Sequence, residues 1–172
     1  TQWTLRLAQV LTRYRTAITH DVDVAFFCFF HVDDNETSMM GAALFALLAL
    51  LREQIVALQT DSKMLSSLAF APNLTELRGL TLAGDWSEKD GYYLGLLLRE
   101  CPNLDYLDLG ECSFIDEDLQ QMSSVPVCPL MERFDMSFTR LSTEGMKCVS
   151  RMLQGWHHIR ELNFGDGSGS MV

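Results

Sequence analysis

Two adjacent carboxylates, Asp33 and Asp34, close the apolar run VAFFCFFHV that begins at Val24. A strand ending on one or two acids is a common way to hold magnesium against a phosphate chain, so these residues are the first chemical candidate. The other half of such a site would be a phosphate loop of the form GxxxxGK[ST], and the sequence contains none. Five cysteines, Cys28, Cys101, Cys112, Cys128 and Cys148, are the second candidate. Their number is odd, no pair has CxxC spacing, and most stand among apolar neighbours, which reads as buried thiols in a reducing, cytoplasmic compartment. The four histidines, His20, His31, His157 and His158, add no zinc-ligand grouping. Cys128 could act as a nucleophile only if folding brought it to His157 and His158, and no Ser/His/Asp set or GxSxG motif accompanies them. The residues therefore lead to a non-enzymatic protein with no cofactor and no metal.

The bulk of the chain narrows its partners. At 172 residues, 48% hydrophobic and 21% charged, it suits one folded domain, or a short repeat array with a cap. Thirteen basic against twenty-three acidic residues leave a net charge of −10, which disfavours nucleic acid and anionic membrane and favours a protein partner offering a basic or polar segment. The longest apolar run, residues 39–51, is shorter than the roughly 20 residues a membrane helix needs. The first residue is Thr1 and the last eight read GDGSGSMV, a linker-like composition, so the chain is expected to be a piece of something longer.

The elements that must position any site are announced by a repeat. Apolar residues recur as L-x-x-L-x-L at Leu77, Leu80, Leu82; at Leu104, Leu107, Leu109; at Met131, Phe134, Met136; and at Ile159, Leu162, Phe164, with starts 27, 27 and 28 residues apart. The period-two core of each copy predicts a short strand with one buried face. Just beyond each triplet a small or polar residue marks a turn: Asp85, Cys112, Thr139 and Gly167. The intervals predict helices over 87–101, capped at Ser87 with Tyr93, Leu94, Leu97 and Leu98 inward, and over 142–156, capped at Ser142 with Met146, Val149, Met152 and Leu153 inward. The middle interval offers a shorter helix over 116–122, ended by Pro126 and Pro129.

The stretches CPNLDYLDLGECSF and IRELNFGDG, with NLTELRGLTLAGD and PLMERFDMSFTRLS as looser copies, resemble the ribonuclease-inhibitor-like branch of the leucine-rich repeat family. The resemblance implies an α/β fold: a short solenoid of about four repeats over 61–167, with parallel strands on its concave side and helices on its convex side. At the aligned position of Asp85 such repeats point a residue inward, so either Asp85 satisfies turn amides or the register slips there. With no further repeat in the chain after Phe164, the last strand is expected to expose an edge and core residues, to be covered by further repeats or by a capping partner.

Residues 1–60 are expected to form a helix-strand-helix (α-β-α) cap region: an amphipathic helix over 3–18, a strand over 21–32 (DVDVAFFCFFHV), and a long helix over 39–59. This strand could also be a degenerate first repeat, since its Val24 stands 53 residues before Leu77, close to two periods. Residues 168–172 are expected to form a flexible tail. The order of an amphipathic helix, VAFFCFFHVDDNET and ALFALLALLREQI also resembles the stretch that follows the phosphate loop in NACHT-type signalling NTPases. That resemblance implies the alternative of a fragment or degenerate form of a NACHT-LRR-type nucleotide-dependent signalling protein, with Asp33 and Asp34 on magnesium.

Residues between and beside the buried strand positions would form columns on the concave face: Gly79, Tyr106, Arg133 and Glu161; Thr81, Asp108, Asp135 and Asn163; Ala83, Gly110, Ser137 and Gly165. Seven acids, Glu100, Asp105, Asp108, Glu111, Asp116, Glu117 and Asp118, stand in this neighbourhood against one base, Arg99. The expected partner-binding set is Tyr106, Asp108, Glu111, Arg133, Asp135, Phe138, Glu161 and Asn163. Tyr106 serves there as a rigid anchor and Arg133 as a directional donor.

Overall fold

The structure, a computed structural model, describes residues 24–27, 48, 55–70, 74–113, 115–124, 128–139 and 141–165. Strands alternate with helices along the chain: β1 (Val24–Phe27), β2 (Ile55–Asp61), a 3-10 turn (Ser62–Met64), α1 (Leu65–Leu68), β3 (Gly79–Ala83), α2 (Asp90–Arg99), β4 (Tyr106–Asp108), α3 (Asp116–Ser123), β5 (Arg133–Asp135), α4 (Thr143–Gly155) and β6 (Glu161–Asn163). The six strands form one parallel sheet in chain order, and each helix from α1 to α4 packs on the next. The fold is therefore α/β. A parallel pair needs a crossover, and here the helices supply it from β2 onward.

The repeated triplets build the core. Leu80 pairs in register with Leu107, Leu107 with Phe134, and Phe134 with Leu162, so one apolar column runs the length of the sheet. Leu77, Leu82, Leu104, Leu109, Met131 and Met136 are fully shut from solvent beside it. Where the third triplet departs from leucine, its phenylalanine packs against other aromatic rings. Phe134 meets Trp156 edge-on at 4.9 Å and Phe164 at 6.5 Å between ring centres, a favourable geometry for aromatic pairs.

Residues 55–59 correct an expectation: they are strand, not the end of a helix. Ile55, Leu58 and Thr60 are buried at the L-x-x-L-x-L positions, with Leu58 opposite Leu80 and Thr60 opposite Leu82. The copy escaped recognition because threonine replaces its last leucine and because the short α1 brings its start only 22 residues before Leu77, 77 − 55. β2 also spans the expected boundary at residue 60 without interrupting the sheet. The other expectations for the first 54 residues, including the helix over 3–18 and the carboxylates Asp33 and Asp34, lie outside the described residues apart from β1 and Leu48.

The helices seat more closely than composition suggests. A Cβ placed on Gly91 of α2 would lie 2.5 Å from both the Cα and the carbonyl oxygen of Asp118 in α3, so only glycine permits this approach. The Asp118 carboxylate joins the two helices: it accepts from Ile115 N–H at 3.0 Å and from Gly91 N–H at 3.4 Å. Two helix expectations need correction. Ser87 is not the cap of α2, which starts after Lys89; instead Ser87 N–H donates to the Asp90 carboxylate at 2.8 Å. In α4 Met146 is exposed, and Gly145, Cys148, Val149 and Met152 form the buried face. Ser142 does cap α4, accepting from the N–H groups of Glu144 and Gly145.

Candidate functional site

The expected columns form in register on β3 to β6. Gly79, Tyr106, Arg133 and Glu161 are successive sheet partners, and so are Thr81, Asp108, Asp135 and Asn163. Each strand is only three residues long from β4 onward, because its polar residue ends it. Asp108 accepts from Gly110 N–H at 2.9 Å, Asp135 from Ser137 N–H at 2.7 Å, and Asn163 from Gly165 N–H at 3.1 Å. This is one turn, in which a side-chain oxygen bonds the amide two residues on, repeated three times. Close packing fixes the small residue after it: a Cβ on Gly110 would sit 3.0 Å from Ser137 Oγ and 3.1 Å from Asp108 Oδ1.

The remaining capacity of these side chains joins neighbouring units. Asn163 donates to Asp135 at 2.8 Å, and the Tyr106 hydroxyl donates to Asp108 at 3.0 Å. The Arg133 guanidinium lies 4.8 Å from the centre of the Tyr106 ring. Tyr106 is thus held at its hydroxyl by Asp108 and on its ring by Arg133, a preorganised aromatic surface that stays partly exposed. Burial, then the Asp108 charge and the hydrogen bond to it, push the phenol up to about 12, with Arg133 opposing, so it stays protonated and donating at neutral pH. Burial raises the Asp135 carboxyl, but bonds from Ser137 and Asn163 outweigh it and leave the group below its ordinary value.

The acidic neighbourhood is smaller than the sequence suggests. Asp105 faces Arg78 at 3.8 Å, and Asp118 is buried in the α2–α3 contact. Asp116 accepts from Ser142 Oγ at 2.6 Å on the helical side. Asp108 and Asp135 remain on the sheet face, flanked by the exposed Glu111 and Glu161. Asp85 is exposed rather than turned inward: it accepts from Ser113 Oγ at 3.2 Å, and its carbonyl accepts from Ser62 Oγ at 2.7 Å.

Gly84, Glu111 and Phe138, 27 residues apart, all hold left-handed backbone, with φ of 106°, 62° and 60°. Glycine adopts this freely; glutamate and phenylalanine do so at a cost of about 1 kcal/mol each. Phe138 is also 57% exposed, an aromatic held out from the rim of the sheet beside Ser137. The backbone signal for it was in the sequence: Gly84 marks the position, and D-x-[GS] at Asp108 and Asp135 marks the turn before it.

The other sequence candidates do not assemble. Cys128 is buried, its thiol faces the carbonyls of Cys101 (3.6 Å) and Leu98 (3.8 Å), and burial pushes it up to about 12, away from the thiolate a nucleophile needs. His157 and His158 are exposed. Among the described residues no three His, Cys, Asp or Glu side chains converge as a metal-binding group, and no described helix is long and apolar enough to cross a membrane. No protein-family model and no curated protein sequence matches the chain.

Proposed function

We propose that the chain is a protein-binding module of leucine-rich repeat type, a short solenoid that takes a basic or polar segment of its partner across β4 to β6. The observation that carries this reading is the clamped row: Tyr106 stacked under Arg133 and bonded to Asp108, with Asp135, Asn163, Glu161, Glu111 and the projecting Phe138 around it. Aromatic rings and arginines held rigid in advance lose little entropy on binding, and carboxylates beside them select cationic groups.

Asp108 and Asp135 serve both the turns and the charge, so replacing them with alanine would confound the two. Asn163 shows that asparagine keeps the same turn. The D108N/D135N variant therefore removes two charges while leaving the backbone bonds in place. A fluorescent peptide of alternating lysine and glycine should bind the native chain, weaken with salt, and bind this variant about tenfold more weakly, a loss of about 1.4 kcal/mol. Equal affinity for both proteins, or for an uncharged serine-glycine peptide, would overturn the proposal.

A further inference from the structure

Arg133 stands in the middle of the acidic face, held by an aromatic ring rather than by a carboxylate. It belongs to β5, which lies between β4 and β6, so its setting does not depend on where the sheet ends. Its sheet partners are Tyr106 and Glu161, and Asp135 follows it by two residues on the same side of its own strand. The exposed guanidinium takes neither acid. It lies 4.8 Å from the centre of the Tyr106 ring, and among the described residues no carboxylate comes within ion-pair distance of it. The arginines one position before these strands behave differently: Arg78 faces Asp105 at 3.8 Å, and Arg160 faces Glu132 at 3.6 Å. The two aspartates of the next column are already committed. Asp108 accepts from Gly110 N–H and the Tyr106 hydroxyl, and Asp135 from Ser137 N–H and the Asn163 amide. A guanidinium carries five donors in a planar fork, and stacking on a ring fixes that fork without using any of them.

We infer that Arg133 is an anion-binding subsite inside the acidic face, and that the segment bound there carries a carboxylate two residues away from its cationic residue. The inference rests on the binding face proposed above and names the chemistry of its partner. Arg133 and Asp135 are alternate residues of one strand, so their side chains leave the same face about 6.6 Å apart. An extended segment laid along β5 repeats its own same-side residues at about that distance, which sets an acid over Arg133 when a lysine or arginine stands over Asp135. Neither charge suffices by itself. A carboxylate alone meets Asp108, Asp135, Glu161 and a net charge of −10, and a run of lysines sets one of them against Arg133. A segment with both charges satisfies the fork and the aspartates together, and a carboxylate on a guanidinium is one of the stronger hydrogen-bonded pairs.

Two labelled peptides test this by fluorescence anisotropy: the lysine-glycine repeat, and a mixed repeat in which every second lysine is glutamate, so that acids and bases alternate at two-residue spacing with no net charge. Arg133→Gln should move them in opposite directions. It should weaken the mixed peptide about fivefold, the scale of one well-formed exposed ion pair, and tighten the lysine-glycine peptide about twofold, because a like charge is gone. Should Arg133→Gln fail to fold, Arg133→Met, which keeps the stem over the ring, is read in its place. Weakening of both peptides would make Arg133 only a support for Tyr106 and overturn the inference. An unchanged affinity for the mixed peptide would overturn it too, since the fork would then be served from within the chain. D108N/D135N separates this outcome from the binding face itself. If that variant weakens the lysine-glycine peptide while Arg133→Gln spares the mixed one, the face stands and the anion subsite falls; a native chain that binds neither peptide removes both.

Discussion

Gly91→Ala should destabilise the protein even though alanine is the better helix former. In an open helix the exchange gains about 1 kcal/mol. Here the new Cβ would stand 2.5 Å from the Cα and carbonyl oxygen of Asp118 and 2.8 Å from its carbonyl carbon, where unstrained carbon contacts lie near 3.5–4.0 Å. The obstacle is backbone, so no rotamer change relieves it, and α2 must back away from α3 by about 1 Å. Overpacking of this kind costs about 1–3 kcal/mol, and the movement also breaks the buried bond from Gly91 N–H to Asp118, adding about 1 kcal/mol. Set against the helix gain, the net loss is about 1–3 kcal/mol, or a fall in Tm of roughly 2–12 °C for a chain of this size. Gly155→Ala is the matched control, because a Cβ there meets nothing within 4 Å, and it should be neutral or raise Tm slightly. Thermal unfolding by circular dichroism reads both. If Gly91→Ala stabilises as much as Gly155→Ala, the close α2–α3 approach is wrong.

Three further perturbations follow from named atoms. Thr60 is 3% exposed and its hydroxyl has no hydrogen-bond partner among the described residues, so the isosteric Thr60→Val should gain about 1–2 kcal/mol in urea unfolding, and a loss would reveal a partner for the hydroxyl. Phe138→Gly relieves a left-handed bulky residue and should raise Tm by roughly 1–4 °C while weakening peptide binding; a lower Tm would mean that Phe138 packs in the fold. Asp90 is held above its ordinary 3.8, by burial first and then by the Asp118 and Asp61 charges, against the bonds from Ser87. Its folded form binds the proton more tightly, so its contribution is full below 3.8 and is lost as pH rises through the raised value. Asp90→Asn can still accept from Ser87 N–H, so it should match or exceed the native stability at pH 7, with the advantage shrinking as pH falls through the raised value and levelling off below 3.8. An advantage that grows in acid would contradict the burial argument.

What the sequence made legible follows from how each signal is generated. A buried strand position demands a large apolar side chain whatever its neighbours do, so the triplets at Leu77, Leu104, Met131 and Ile159 announced β3 to β6 and the columns on them. The copy at Ile55 was hidden because Thr60 fills a leucine position, and a hydroxyl with no partner is a departure from the rule that created the signal. Residues on the sheet face were placed correctly, but their jobs were not legible. Asp108 and Asp135 read as spare charge, whereas each spends one oxygen on a turn amide, and that depends on chain direction after the strand. Asp118 looked like part of the same acidic neighbourhood, yet it is consumed between two helices, a contact set by Gly91 at a distance of 27 residues. The strain at Phe138 was equally invisible in its own side chain and shows only through the equivalence with Gly84.

The binding claim rests on where a cationic segment touches the chain, and amide and side-chain NMR shifts during titration with the lysine-glycine peptide measure that directly. The account predicts shifts at the Tyr106 ring, the Asn163 side-chain amide, and the amides of Gly110, Ser137 and Phe138, with the outer face of α4 around Met146 and Arg151 unmoved. Shifts concentrated on α4, or spread evenly over the acidic surface, would contradict it.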